Sequence, residues 1–174
     1  MLKPFMRAAA AALPLLALLA GSCNSPARYV TVDGTMLGTT MHVVADVGPS
    51  ARQELYRAAM PLDAEAKASM SIFDSTSLLS RLNRNETDSV DGFIAECIRT
   101  ARRISEQSDG AYDITVKPLT AAYGFTGDVP VQNPDVDSLL KLVGYDKIAV
   151  ENGRLRKADP RMQIDLNSIA QGAT

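Results

Sequence analysis

The stretch YDKIAVENGRLRKA, residues 145–158, contains the feature that decides the fold class. Two runs that alternate apolar and polar residues flank the dipeptide Asn152-Gly153. Asn and Gly tolerate the positive φ angles that a type I′ turn requires at both of its central positions. The stretch therefore predicts an antiparallel β-hairpin, and the rest of the chain has to supply the elements that cover it.

Helical and extended patterns alternate on the N-terminal side of this hairpin. RYVTVDG and TTMHVVADV, with Gly34 and Gly38 between them, predict a first hairpin. Residues 50–70 and 92–110 carry apolar residues at helical spacing, so each predicts an amphipathic helix. Pro61 is expected to kink or restart the first of these helices.

Three shorter stretches complete the predicted pattern. AYDITVKPL reads as an extended segment that stops at Pro118, and MQIDL, residues 162–166, predicts a further strand. NPDVDSLLKLVG predicts a helix with Asn133 as its cap and Pro134 at the first helical position. Strands and helices interleave without a strict βαβ period, which predicts an α+β fold with antiparallel strands packed against helices.

The N-terminal segment has the pattern of a bacterial lipoprotein leader. Lys3 and Arg7 precede the apolar run AAAAALPLLALLA, and GSC follows it. This run is shorter than the roughly 20 residues that span a bilayer, so it predicts a signal peptide at residues 1–22. Cys23 is then the predicted lipidation site, residues 23–28 a tether, and residues 29–174 the folded domain. An ordinary signal peptide with an incidental cysteine is the alternative.

Composition argues against several classes of function. The net charge of −2, the absence of Trp and the scattered Phe and Tyr residues argue against a nucleic-acid partner. Apart from the predicted lipidation site Cys23, Cys97 is the only cysteine, which excludes a zinc site built from several cysteines, and its helical spacing predicts burial. His42 is the only histidine, so Ser-His-Asp and Cys-His chemistry have little support.

Four loops interrupt these patterns with small or polar residues: GTMLGTT, MSIFDSTSLLSRLN, GAYDITVKPL and DLNSIAQGAT. Each has an ordinary structural interpretation beside a functional one. For Phe73 the two interpretations are stacking on a planar ligand and burial in the core. For Asp113 they are binding of a ligand and exposure to water. Asn167 and Ser168 cap a plain helix or form a turn whose unpaired N–H groups bind a phosphate.

Taken together and in this order, the four loops resemble those of the ApbE family of FAD:protein FMN transferases. MLGTT resembles the family's Met-Gly-Thr element, and MSIFDSTSLLSRLN resembles its Met-Ser-aromatic turn. GAYDITVKPL and DLNSIAQG are the more specific matches. The resemblance covers residues 30–174, and the lipoprotein-like leader is also typical of the family.

The resemblance implies an Mg²⁺-dependent, periplasm-facing enzyme that transfers FMN from FAD to a Thr or Ser hydroxyl of a target flavoprotein and releases AMP. It implies FAD as substrate, an acceptor subunit of a membrane redox complex as partner, and attachment to the bacterial cell envelope through the lipid. The backbone carbonyl of Ala170 would bind the magnesium ion. The implied flavin site comprises Leu37, Phe73, Ala111, Tyr112, Asp113, Asn167 and Ala173.

The chain departs from the family pattern in three respects. Leu37 stands where the family usually has Met, and Gln171 where it frequently has Lys. Family members are about twice as long, so the chain is interpreted as an N-terminal fragment with an incomplete ApbE-like (T-fold-like) fold, inactive alone, whose catalytic residues lie in the missing half. A lipid-anchored FAD-binding protein without transferase activity is the main alternative, and an envelope-assembly lipoprotein is the second.

Overall fold

The structure is a computed structural model that describes residues 29–48 and 50–173. The predicted signal peptide, Cys23 and the tether lie outside the described residues. The described residues divide into two units, one of residues 29–34, 40–48 and 50–56 and the other of residues 35–39 and 57–173.

Strands β1 (Val30–Met36) and β2 (Thr39–Ala45) pair as a two-stranded sheet. The turn between them consists of Leu37 and Gly38, with φ angles of 52° and 77°. The predicted hairpin is therefore present, but Gly34 lies inside β1 and not in the turn. His42 Nδ1 lies 2.5 Å from Asp33 Oδ1, so the only histidine forms an exposed contact within the first unit.

Helix α1 (Ala51–Met70) agrees with the sequence prediction, but it continues through Pro61 as one element, so the predicted restart does not occur. Helix α2 (Leu78–Asn83) begins after Ser77, whose side chain accepts a hydrogen bond from Ser80 N. Helix α3 (Gly92–Gln107) begins after Asp91, whose carboxylate accepts a hydrogen bond from Ile94 N. Both caps satisfy N–H groups that a helix leaves unpaired in its first turn.

The core of the second unit collects one apolar face from each of these helices. Cys97 is 1% exposed and its Sγ lies 3.6 Å from Met70 Sδ, which confirms that it is a buried residue. Burial raises the pKa of the Cys97 thiol to about 11, so the thiol stays protonated and unreactive at neutral pH. The other core side chains are those of Ala66, Met70, Leu79, Leu82, Ile94, Ile98, Ala101, Ile114, Leu142, Ile148, Leu155, Met162, Ile164 and Leu166.

The hairpin predicted at Asn152-Gly153 is confirmed. Strands β3 (Ile148–Glu151) and β4 (Arg154–Lys157) are antiparallel, with Glu151 opposite Arg154 next to the turn. Asn152 and Gly153 have φ angles of 51° and 72°, as a type I′ turn requires.

The strand predicted at AYDITVKPL is wrong. Asp113 itself has an extended backbone, but a 3₁₀ helix follows at Ile114–Val116 and leads into helix α4 (Lys117–Ala122). The Asp113 side chain accepts a hydrogen bond from Thr115 N, which starts the helical turn. Pro118 lies in the first turn of α4, where a proline is well tolerated, so it helps to begin a helix and does not end a strand.

The strand predicted at MQIDL is also absent, although its alternating burial is real. Met162, Ile164 and Leu166 are fully buried, while residues 162–166 form no regular element. The side chain of Asn83 takes the place of a partner strand: its Nδ2 donates to Ile164 O at 2.9 Å, and its Oδ1 accepts from Ile164 N at 2.8 Å. A buried amide thus satisfies the backbone groups that a ladder would have paired.

Helix α5 (Val136–Leu140) begins later than predicted, because Asp135 and not Asn133 is its cap. Asp135 Oδ1 accepts a hydrogen bond from Ser138 N at 3.1 Å, while Asn133 has a φ of 53° in the preceding turn. Helices and antiparallel strands together confirm the α+β class. Within residues 29–48 and 50–173, no helix combines the length and the apolar character needed to cross a membrane.

Candidate functional site

A cavity of about 370 Å³ lies in the second unit and collects residues from three of the four sequence motifs. It is large enough for a fused aromatic ring system, since small-molecule pockets usually start near 300 Å³. Four residues of the expected site lie together here, namely Leu37, Phe73, Asn167 and Ala170. The other lining residues are Gly38, Ala66, Lys67, Met70, Ser71 and Asp74.

The Leu37 wall of the cavity is held by a hydrogen bond to α1. Leu37 N donates to Asp63 Oδ1 at 2.6 Å. Leu37 has a left-handed φ of 52°, a conformation that is unfavourable for a residue with a β-carbon. A distant carboxylate thus holds a strained turn at the site, and the Leu37 side chain packs partly buried against the core.

Asp63 is a carboxylate on the apolar side of α1, and it is only 8% exposed. Its second oxygen, Oδ2, accepts a hydrogen bond from Lys67 Nζ at 2.7 Å, one helical turn further on. The Leu37 N–H and then the Lys67 ammonium hold the pKa of Asp63 below its usual 3.8, and these contacts outweigh the opposing effect of burial. The carboxylate is therefore ionised at neutral pH.

The loop after α1 presents the Phe73 ring to the cavity. Ser71 Oγ accepts hydrogen bonds from Phe73 N and Asp74 N, both at 3.2 Å. Ser71 O in turn accepts hydrogen bonds from the hydroxyls of Ser77 and Ser80. This serine cluster fixes the loop and leaves Phe73 71% exposed, so the predicted alternative of a core phenylalanine is wrong.

The Asn167 side of the cavity belongs to a turn that leads into a 3₁₀ helix at Ala170–Ala173. Asn167 N donates to Asp165 Oδ1 at 2.8 Å, which starts this turn. Asp165 N donates to Ile114 O at 2.8 Å, so the third and fourth motifs are direct neighbours. The helix expected at this point is one short 3₁₀ turn in the described residues.

Asp113 does not line the cavity, and its carboxylate is used within the chain. Oδ1 accepts hydrogen bonds from Thr115 N at 2.8 Å and from Thr115 Oγ1 at 2.6 Å. Oδ2 accepts a hydrogen bond from Tyr145 N at 2.8 Å. Thr115 Oγ1 itself accepts from Gly144 N at 2.7 Å. Asp113 thus joins the 3₁₀ turn to the segment that enters β3.

The remaining expected residues lie near the cavity motifs without lining it. Tyr112 contacts the fourth motif, with 3.0 Å between its hydroxyl and Ser168 Oγ. Ala111 is exposed, and it is absent from the cavity wall. Ala173 lines two other hollows beside α3.

Sequence reasoning missed Asp63 and Lys67, although a signal was present. Asp63 precedes Ala66 by three residues and Met70 by seven, so its position falls on the buried face of α1. A carboxylate on that face requires a partner, and Lys67 stands four residues later. The pattern resembled an ordinary surface ion pair because the Leu37 N–H comes from a distant part of the chain.

The arrangement suits a planar, partly anionic ligand. Leu37, Ala66, Met70 and Ala170 provide apolar walls, and the exposed Phe73 ring provides a stacking surface. Asn167 and Lys67 add an amide and an ammonium group. Among the described residues, no group of three or more His, Cys, Asp or Glu side chains is placed to hold a metal ion.

Comparison with known proteins identifies relatives over most of the chain. The family model described as the ApbE family matches residues 37–174. An FAD:protein FMN transferase of Vibrio cholerae is 30% identical over 170 residues, which cover 92% of this chain and 51% of the relative. The enzyme of the same name from Haemophilus influenzae is 28% identical over 172 residues, covering 90% of this chain and 50% of the relative.

Solved structures agree with the sequence relatives. The apo form of the Pseudomonas stutzeri flavinyl transferase ApbE superposes with a TM-score of 0.75 at 25% identity, covering 83% of this chain and 48% of that one. The Vibrio cholerae flavin transferase ApbE superposes with a TM-score of 0.71 at 26% identity, covering 84% and 50%. The chain spans about half the length of the relatives that it matches.

Proposed function

The chain belongs to the ApbE family, and we propose that it forms part of an enzyme that transfers FMN from FAD to a hydroxyl group of a target protein. One observation carries the proposal: Leu37, Phe73, Asn167 and Ala170, which come from three separate motifs, line a single cavity of about 370 Å³. The relatives from Vibrio cholerae and Haemophilus influenzae bear the name of this activity.

The cavity is suited to the isoalloxazine ring of FAD. Stacking on Phe73 provides favourable contact for a ring of this size, and Leu37 and Met70 bury its apolar part. Asn167 offers both a hydrogen-bond donor and an acceptor to the polar edge of the ring. The serine cluster around Ser71 preorganises the loop, so little ordering is required when the flavin binds.

The proposed reaction is a phosphoryl transfer. The acceptor's hydroxyl oxygen attacks the phosphorus that carries the riboflavin part of FAD, and a new P–O bond forms. The bond from that phosphorus to the bridging oxygen breaks, so AMP leaves with the bridging oxygen and the hydroxyl proton is released. The described residues contribute flavin binding and orientation to this step, which lowers the barrier by positioning the reacting groups.

Magnesium is part of the proposal, but the described residues do not fit a complete magnesium site. Mg²⁺ prefers six oxygen ligands in octahedral geometry, and the resemblance assigns it only the carbonyl of Ala170 in this chain. No cluster of three or more acidic or other metal-ligating side chains occurs in residues 29–48 and 50–173. The remaining ligands would have to come from outside the described residues.

We also propose that the protein is anchored by lipid at Cys23 to the bacterial cell envelope and faces the periplasm. The support is the sequence of the leader, with Lys3 and Arg7 before an apolar run and Gly-Ser before the cysteine. An acceptor subunit of a membrane redox complex would then lie in the same compartment. Mass spectrometry of the purified protein tests this: acylated Cys23 at the N-terminus is expected, and an uncleaved leader contradicts it.

Incubation of the full-length protein with FAD, magnesium and a redox flavoprotein acceptor tests the activity. AMP in the supernatant, together with flavin fluorescence on the denatured acceptor, is the expected result. FAD that binds and remains intact favours the alternative of a flavin-binding protein. Absence of flavin binding contradicts both.

Phe73→Ala and Phe125→Ala make a matched pair for the cavity. Both phenylalanines are strongly exposed, at 71% and 79%, but Phe125 does not line the cavity. Loss of stacking in Phe73→Ala should weaken FAD binding about tenfold, and Phe125→Ala should bind like the wild type. Equal effects of the two substitutions would contradict the assignment of this cavity to the flavin.

A further inference from the structure

Lys67 is the basic side chain of the cavity. Among the described residues that line it, Lys67 carries the positive charge and Asp74 the negative one. Asp74 Oδ1 is bonded to Thr76 N at 2.8 Å and Thr76 Oγ1 at 2.7 Å, on the loop itself. The cationic group available to a ligand in this cavity is therefore the Lys67 ammonium.

Among the described residues, Asp63 is the hydrogen-bond partner of the Lys67 ammonium. Its bond to Asp63 Oδ2 at 2.7 Å uses one of the three N–H donors of an ammonium group. The side chain is 47% exposed, whereas that of Asp63 is 12% exposed. The buried Asp63 carboxylate thus fixes one side of the Lys67 ammonium. The rest of the ammonium faces solvent and the cavity.

Asp63 links the Lys67 ammonium to the Leu37 wall of the cavity. Its Oδ1 accepts the Leu37 N–H at 2.6 Å, and its Oδ2 accepts the Lys67 ammonium. One carboxylate therefore sets the position of an apolar wall and of a charge in the same cavity. An ordinary i,i+4 ion pair on a helix surface would contribute little to stability and would hold no distant turn.

The charge points to a part of the substrate. At neutral pH, the formal negative charges of FAD are on its two phosphates, and a charge-assisted hydrogen bond to phosphate is about twice as strong as a neutral one. We propose that Lys67 binds a phosphate oxygen of FAD and that Asp63 is the positioning residue that holds Lys67 and Leu37 in place for it. This inference rests on the proposed function, because it takes FAD as the ligand of the cavity.

Binding of riboflavin, FMN and FAD to the full-length protein in EDTA tests the inference, because riboflavin lacks a phosphate. Lys67→Gln should weaken the binding of FMN and FAD about tenfold and leave riboflavin binding unchanged. Lys67→Arg retains the charge and should restore most of the affinity for both phosphorylated ligands. Lys141→Gln is the matched control, since it removes the same charge outside the cavity and should bind all three ligands like the wild type.

The outcomes separate the inference from the proposed function. If the wild type binds none of the three flavins, the proposed function fails. If the wild type binds FAD and Lys67→Gln binds it equally well, only the inference fails. If Lys67→Gln weakens all three ligands alike, Lys67 acts on the ring or on the fold, and the assignment to phosphate is overturned.

Asp63→Asn tests the positioning role. Asparagine can still accept the Leu37 N–H, but it carries no charge to hold the ammonium. The variant should bind FAD several-fold more weakly and retain its riboflavin affinity. A cooperative thermal unfolding transition should show that it is folded. An unchanged ratio of FAD to riboflavin affinity would overturn the positioning role of Asp63.

Discussion

Asp63 and Asp113 are two carboxylates that join distant segments, and they do so in different regions. Asp113 holds the turn at Thr115 and the segment at Tyr145, away from the cavity. Asp63 holds Leu37 and Lys67, both of which line the cavity. Asp113 lies in a conspicuous motif, whereas Asp63 lies inside an ordinary helix.

A residue of a conspicuous motif can thus hold the framework, while an inconspicuous helical residue holds two residues that line the cavity. The carboxylate of Asp113 accepts its bonds from groups of the framework. Asp63 also accepts a backbone N–H, but its second bond goes to a side chain that a ligand can reach. Substitutions at the two positions should therefore separate stability from binding.

The largest expected effect is that of Asp113→Ala. The substitution removes the acceptor of Thr115 N, Thr115 Oγ1 and Tyr145 N, and Thr115 is fully buried. We expect a loss of about 3 kcal/mol in the free energy of unfolding, because buried donors are left without partners. Urea denaturation measures it, with Asp113→Asn as the control that retains one acceptor. A loss below about 1 kcal/mol would show that the hydrogen bonds of Asp113 contribute little to stability.

Asp63→Ala should have the next largest effect. Leu37 N loses its acceptor and the left-handed turn loses its distant support, which should cost about 2 kcal/mol of stability. Unlike Asp113→Ala, this variant should also lose FAD affinity when it is folded. Titration of the variant with FAD, followed by flavin fluorescence at a temperature well below its thermal midpoint, measures that affinity. Equal FAD affinity in the two alanine variants would remove the distinction between framework and site.

Acid should weaken the contribution of Asp63. The pKa of Asp63 is lowered in the folded protein, so its charge stabilises the fold above its usual pKa of 3.8. That contribution is lost as the pH falls through the lowered folded value. We expect the stability difference between wild type and Asp63→Asn to shrink below pH 4, as measured by urea denaturation at pH 7 and about pH 3. A difference that grows in acid would contradict the ionised pair.

The smallest expected effect concerns the turn at Asn152. This turn provides a comparison for the left-handed backbone of Leu37. Both residues have left-handed φ angles, 51° and 52°. Asn152→Ala should cost about 1 kcal/mol, because alanine adopts this conformation poorly. Asn152→Gly should be close to neutral. The thermal midpoint measures both, and a neutral Asn152→Ala would mean that the left-handed backbone costs little here.

The sequence predicted the hairpin at Asn152-Gly153, both long helices and the burial of Cys97, because each depends on local chemistry or on the period of apolar residues. It failed at AYDITVKPL, where the Asp113 side chain outweighs the strand propensity of β-branched residues. It failed at MQIDL, where the side chain of Asn83, about 80 positions earlier, takes the place of a strand.

The site shows the same division. The motifs indicated Phe73, Leu37 and Asn167, and these residues share a cavity. Asp113 is bonded to Thr115 and Tyr145 and does not line this cavity, so its expected role in flavin binding stays a prediction. The sequence did not reveal Asp63 and Lys67. Their role depends on a bond to Leu37 N, 26 residues away, which no local pattern encodes.

The α+β class, the resemblance to the family and the residue types of the expected site could all be inferred from the sequence alone. Periodicity and turn chemistry are local, and short motifs record the chemistry that a ligand requires. Which carboxylate holds residues of the cavity and which holds the framework became visible only in the folded chain. The reason is physical: the partners of a buried charge are chosen by packing between distant segments, and its ionisation and position follow from those partners.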